Sequence, residues 1–147
     1  MRMLIVFFLV TSFALAKTYT VGFAQDTLKN DWRVAQANEL KEALSQHENI
    51  ELIIKNAESK VSKQILHIEQ FIKDGVDFII TSPIEQHITG KVLEKAMQKG
   101  IHVILISRRV KQDNFDTFIA PDNRLIAKEA AKFLIERLDG KGVILML

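Results

Sequence analysis

The sequence predicts an α/β fold, a doubly wound, mostly parallel sheet with helices on both faces. Three observations carry this. Val103-Ile104-Leu105-Ile106 sets four branched apolar residues in a row, which suits a strand covered on both sides. The segments between such runs carry apolar residues at helical spacing. Three junctions then read helix, glycine, buried strand: Lys73-Asp74-Gly75-Val76, Gln98-Lys99-Gly100-Ile101 and Asp139-Gly140-Lys141-Gly142-Val143. Strands and helices alternating at this length imply right-handed crossovers between parallel strands.

Taken in order, Tyr19 to Ala24 reads as a first strand, followed by a polar segment from Gln25 to Asp31. Asp31 is expected to cap the next helix through its carboxylate. Val34, Ala37, Leu40 and Leu44 give that helix one apolar stripe. Ile50 to Ile54 is a second strand, and Val61, Ile65, Ile68 and Ile72 stripe a second helix. Gly75 follows where a left-handed helix stop belongs. Val76 to Ile80 is a third strand ending in Thr81-Ser82-Pro83. Ile88, Val92 and Ala96 stripe a third helix that stops at Gly100. The fourth strand is the Val103 run. Phe118-Ile119 is a short fifth strand, and Asp122 caps a helix striped by Ala127, Ala130, Leu134 and Leu138. Val143 to Leu147 reads as a sixth strand.

A chain of 147 residues is one domain's worth, long enough for a real core. The formal charge of +2 asks for neither nucleic acid nor an anionic membrane. With no cysteine, disulfides and thiolate metal sites are excluded. At the N-terminus, Arg2 supplies a positive region and Met3 to Leu15 is apolar except for Thr11 and Ser12. Ala14-Leu15-Ala16 sets small residues at the two positions that determine cleavage. Residues 1–16 therefore read as a secretory signal peptide, cut after Ala16, which delivers residues 17–147 to the periplasm. The run is too short for a membrane span, which needs roughly 20 apolar residues.

Catalytic constellations are thin. No phosphate loop of standard spacing and no Gly-x-Ser-x-Gly elbow occurs, and His47, His67, His87 and His102 are scattered. The polar residues at strand ends are more informative, because ligands of open α/β sheets bind outside the carboxyl ends of the strands. Gln25 and Asp26 follow the first strand, Ser82 the third, Ser107 and Arg108 the fourth, and Asp122 and Asn123 the fifth. Trp32 and Arg33 open the first helix on the same side. An indole beside guanidinium and amide groups suits a sugar: the apolar ring face stacks, and the hydroxyls take directed hydrogen bonds. Gln25, Trp32, Arg33, Ser107, Arg108, Asp122 and Asn123 are thus the candidate ligand-binding residues. A structural alternative for Arg108 is an ion pair with a rim carboxylate such as Asp122. Arg109 reads as exposed or structural.

These segments resemble a known family. Gly22-Phe23-Ala24-Gln25 followed by Asp31-Trp32-Arg33-Val34-Ala35 looks like the opening of periplasmic sugar-binding proteins of the ribose/galactofuranose type. The runs Phe71 to Pro83 and Gly100 to Arg108, and the turn Ile119-Ala120-Pro121-Asp122-Asn123, are similar to further segments of that family. The resemblance implies a single N-terminal lobe of a type I periplasmic-binding-protein fold. It also implies a monosaccharide ligand held by Trp32, Arg33 and Arg108, and an ABC permease or membrane sensor as partner. Ser107 stands where the family carries Asp, so a hydroxyl replaces a charged acceptor. The family's second lobe has no counterpart here, so the expectation is a fragment, a truncated receptor, or a lobe completed by a partner chain.

Three functional readings follow. The first is solute capture for an ABC-type sugar transporter, with no catalysis, cofactor or metal. The second is a ligand-sensing module that signals to a membrane kinase or chemoreceptor. The third is a small flavodoxin-like enzyme using Ser107 and Arg108 on an anionic substrate, and it lacks a base and a phosphate loop.

Overall fold

The computed structural model describes residues 17–145. Five strands form one sheet, β1 (Tyr19–Gln25), β2 (Ile50–Asn56), β3 (Phe78–Thr81), β4 (His102–Ile106) and β5 (Thr117–Ile119). Their order is β2-β1-β3-β4-β5, and every pairing is parallel. Helices α1 (Asp31–Ser45), α2 (Val61–Asp74), α3 (Gln86–Gln98) and α4 (Asn123–Arg137) complete the described elements. The chain steps from β1 outward to β2, then back past β1 to β3. With right-handed crossovers, that reversal sends α1 to one face and α2 and α3 to the other.

Side chains alternate accordingly. Ala24, Ile79, Val103 and Leu105 pack with Ile68, Phe71, Val92, Leu93 and Ala96 of α2 and α3. Val21, Phe23 and Ile80 face Ala37 of α1, with Leu40, Leu44, Ile104 and Ile106 only partly covered. Along this second face runs a groove of about 480 Å³, floored by Ile80, Ile104, Ile106 and Ile119. At Gly22 the sheet meets α2 closely: a Cβ there would lie 2.6 Å from the Phe71 ring. Only glycine leaves that ring its place over β1. Gly75 stops α2 in the left-handed conformation, at φ 70°.

Several local expectations are corrected. The cap of α1 is Asn30, not Asp31: Asn30 is extended, and its side chain accepts from the Arg33 amide. Asp31 becomes the first helical residue, where a carboxylate meets the positive end of the helix dipole. β1 and β2 each run further than expected, to Gln25 and Asn56. β3 begins at Phe78, because Val76 still closes the end of α2 through its amide to Phe71 O at 3.3 Å. Ile88 is half exposed, and the buried face of α3 is Thr89, Gly90, Val92, Leu93 and Ala96.

Asp122 does cap α4, accepting from the amides of Arg124 and Leu125 at 3.0 Å. Yet no residue of α4 is buried, so Ala127, Ala130, Leu134 and Leu138 do not lie against the sheet. Periodicity foretells a helix and its apolar side, not the surface that side meets. Val143 to Leu145 join no strand and are exposed, since an apolar run becomes a strand only with a partner edge. Met146 and Leu147 of that expected sixth strand lie outside the described residues, as does the whole expected signal peptide. Among the described residues, no helix is long and apolar enough to cross a membrane.

Candidate functional site

The strand order reverses between β1 and β3, and it is outside the carboxyl ends of the strands at such a point that open α/β sheets take ligands in a crevice. Asp26 follows β1 directly and is buried, 5% exposed. Its Oδ1 accepts from the Thr27 amide at 2.9 Å and forms an ion pair with Arg33 Nε at 3.3 Å, and its Oδ2 accepts from Arg108 Nη2. One carboxylate therefore holds two guanidinium groups, one from the start of α1 and one from beyond β4. Arg108 also donates through Nε to Ser82 Oγ at 3.2 Å, so it bridges the ends of β1, β3 and β4.

Ser107 turns the chain sharply at the end of β4. Its φ is 65°, in the left-handed region that costs a non-glycine residue energy. Its amide donates to Ile119 O of β5 at 2.8 Å, which anchors the turn. Its hydroxyl accepts from Arg33 Nη1 at 3.4 Å and Gln36 Nε2 at 3.5 Å. The neighbours of this hydroxyl are donors, with no base among these partners to remove its proton. Burial lowers the Arg33 pKa from its usual value; Asp26 raises it in part, and the Arg108 charge lowers it again.

Beneath the crevice lies a second network. Gln64 of α2 is fully buried, and its Nε2 donates to Ala24 O, Thr81 Oγ1 and Ser82 O at 3.0–3.2 Å. Its Oε1 accepts from the Ile84 amide at 2.9 Å. This one side chain ties the ends of β1 and β3 and the loop that carries Ser82. It sets the spacing of the groups above it.

The structure thus brings together Arg33, Ser107 and Arg108 of the candidate residues, and adds Asp26, Ser82 and Gln36. Trp32 stands beside them at the start of α1, 64% exposed, over a recess of about 240 Å³ formed with Ala35, Gln36 and Glu39. Gln25 is fully buried: its Nε2 donates to Arg33 O, and its Oε1 accepts from the Asp26 amide. It positions α1 and presents no atom to the crevice. Asp122 is engaged in capping α4, and Asn123 begins that helix on the exposed side. The ion-pair partner of Arg108 is Asp26, not Asp122. Arg109 leaves the crevice and lies over the Phe115 and Phe118 rings, at 4.9 and 5.1 Å.

Gln64 was not among the expected residues, although a signal exists. It falls in phase with Ile68, Phe71 and Ile72, so a polar residue interrupts a buried helical stripe. A larger hollow, about 590 Å³, opens at the other end of the sheet among Lys17, Tyr19, His47, Asp77 and His102. Its charged groups are already engaged, Lys17 on Asp77 at 2.5 Å and His102 facing Asp116 at 3.6 Å. Among the described residues, no group of three or more His, Asp or Glu side chains gathers as a metal site would.

Comparison with known proteins now adds to this geometry. The sequence profile of the periplasmic binding protein domain matches residues 21–147. The galactofuranose-binding protein of Escherichia coli (strain K12) is 31% identical over 135 residues, covering 90% of this chain and 42% of that one. Among solved structures, the binding component of the arabinose ABC transporter of Shewanella sp. ANA-3, bound to arabinofuranose, superposes with a TM-score of 0.76. It is 30% identical and covers 83% of this chain and 41% of that one. The fructose-binding periplasmic domain of the hybrid two-component system BT1754 gives a TM-score of 0.74 at 30% identity, over 84% and 41%. The chain spans about two fifths of the length of the relatives it matches.

Proposed function

The chain belongs to the periplasmic binding protein domain family, and from that premise we propose that its strand-end crevice forms one wall of a monosaccharide site serving ABC-type uptake. The observation that carries this is the Asp26–Arg33–Arg108 cluster, held beside the exposed Trp32 where the strand order reverses. Arg33 and Arg108 are fixed by Asp26, Ser82 and Ser107, so their outward N–H groups are set before a ligand arrives. Charge-assisted bonds from such a fork to ring and hydroxyl oxygens would fix the sugar's orientation, and the indole would cover its apolar face. Binding, with no bond made or broken, is the chemistry these groups support. The periplasm is the compartment that goes with the family, and closure against a second wall would complete the site.

Trp32 is the one tryptophan of the sequence and borders a recess shared with Gln36, which meets Ser107, so its emission is the natural probe of this edge. Titration with galactose, ribose, arabinose and fructose at millimolar concentrations should give a saturable change with at least one of them. Followed by calorimetric heat, Trp32→Phe and Arg108→Gln should each weaken the binding at least tenfold. No saturable response to any monosaccharide, neutral or acidic, would remove the sugar-site reading.

A second reading is signalling, favoured by the likeness to the fructose-binding domain of a two-component system. The two part on the partner. A receptor for uptake would raise the ATPase rate of a permease when loaded with sugar, and a sensor would change the phosphorylation of a membrane kinase.

A further inference from the structure

The crevice is unbalanced in charge and in hydrogen-bond donors. Asp26 is its one buried carboxylate; its oxygens already accept from Thr27 N and Arg108 Nη2 and pair with the Arg33 guanidinium. Two guanidinium groups share that single negative charge, which leaves one positive charge over. Ser107 stands between them as a neutral hydroxyl that accepts from Arg33. Arg33 Nη2 and Arg108 Nη1 take no part in any of these bonds. The side chain of Arg33 is only 12% exposed and that of Arg108 38%, so water screens the excess incompletely.

The neighbouring loop has the same sign. Ser59 donates its amide to Asp26 O at 2.8 Å, which places Glu58 next to the crevice. Glu58 is met by Lys63 at 2.8 Å and Lys60 at 3.9 Å. Cations therefore outnumber carboxylates at two adjacent places along the rim.

On top of the sugar-site reading above, the geometry points to a monosaccharide that carries a carboxylate, a uronic or aldonic acid, as the ligand preferred over neutral sugars. A carboxylate accepts in pairs from a guanidinium fork and supplies the missing charge, whereas a neutral hydroxyl supplies only an acceptor. Partial burial keeps this preference from being lost to screening.

The test titrates the whole chain with D-galacturonate, D-gluconate and D-galactose in low salt, following Trp32 emission and calorimetric heat. At least one acid should bind about tenfold tighter than galactose, and Arg108→Gln should remove that advantage. Because Arg108→Gln disturbs the Asp26 pair, Ser107→Asp is the second variant. It adds a carboxylate while keeping both guanidinium groups, and should move the preference toward galactose. Galactose binding as tightly as both acids would overturn the acidic-ligand inference and leave the sugar-site reading standing. An acid preference unchanged in both variants would place the anion elsewhere and also overturn it. Binding of none of the three would sink this inference, and the wider neutral-sugar panel would then decide the reading beneath it.

Discussion

At the amino end of the sheet, among the described residues, each paired basic side chain faces a single carboxylate. Lys17 meets Asp77, which also accepts the Thr20 amide at 2.9 Å; His102 faces Asp116, which accepts the Val103 amide at 2.7 Å. These groups are largely in water, with Lys17 at 64% and His102 at 60% side-chain exposure. At the carboxyl end, two arginines close on one carboxylate that is 8% exposed. Both ends set basic side chains against aspartates. They differ in stoichiometry and in burial, and that difference separates a tie from a site. An exposed one-to-one pair holds neighbouring segments and contributes little, while a buried two-to-one cluster keeps unused charge facing a crevice.

The sharpest way to break this comparison is at Asp26. Asp26→Asn leaves two guanidiniums partly buried without a counter-charge and should cost about 3 kcal/mol of stability in urea denaturation. A loss as small as that of a surface pair would mean the cluster is solvated like the amino end. Next comes the support beneath it. Gln64→Leu removes bonds to Ala24, Thr81, Ser82 and Ile84. It leaves buried backbone groups unpaired and should cost about 2 kcal/mol. Unchanged urea midpoints would show that the strand ends hold their spacing without it. The Arg108 side chain is 38% exposed, so Arg108→Gln should cost about 1 kcal/mol of stability, somewhat less than the about 1.4 kcal/mol that a tenfold loss of sugar binding represents.

The smallest effect belongs to Asp77→Asn, and its sign with pH sharpens the contrast. The Lys17 hydrogen bond and the Thr20 amide hold the Asp77 pKa below its ordinary value of 3.8. A carboxylate depressed in the folded state adds stability above its unfolded pKa, and that stability is lost as the pH falls through the folded value. The variant should therefore melt slightly below the parent at neutral pH, by about 1–2 °C, and match it in strong acid. Melting points that diverge further on acidification would reverse the sign and refute the assignment.

Much of the crevice could be foreseen because strand ends announce themselves. Ile80-Thr81-Ser82 and Ile106-Ser107-Arg108 each pass from apolar to polar within a residue or two, and in a parallel sheet such ends gather on one edge. Arg33 followed from its place in the first turn of α1. The partner of Arg108 could not be foreseen: Asp26 lies 82 residues earlier, and a nearer acid, Asp122, was the natural choice. Gln25 looked equally available at a strand end. Whether a side chain there points outward or down into the backbone depends on the loop packed beside it.

The sequence by itself determined the order of strands and helices from β1 to α4, the glycine stops among them, and the residues placed at each of those strand ends. These follow from nearest-neighbour chemistry, namely periodicity, branching at Cβ, and what glycine and asparagine permit in the backbone. Only the tertiary structure decided that β1 lies between β2 and β3, that α4 buries none of its stripe, and that Asp26 rather than Asp122 holds Arg108. Such pairings join segments far apart in the chain. They are settled by which faces bury the most apolar surface together, a quantity no local pattern contains.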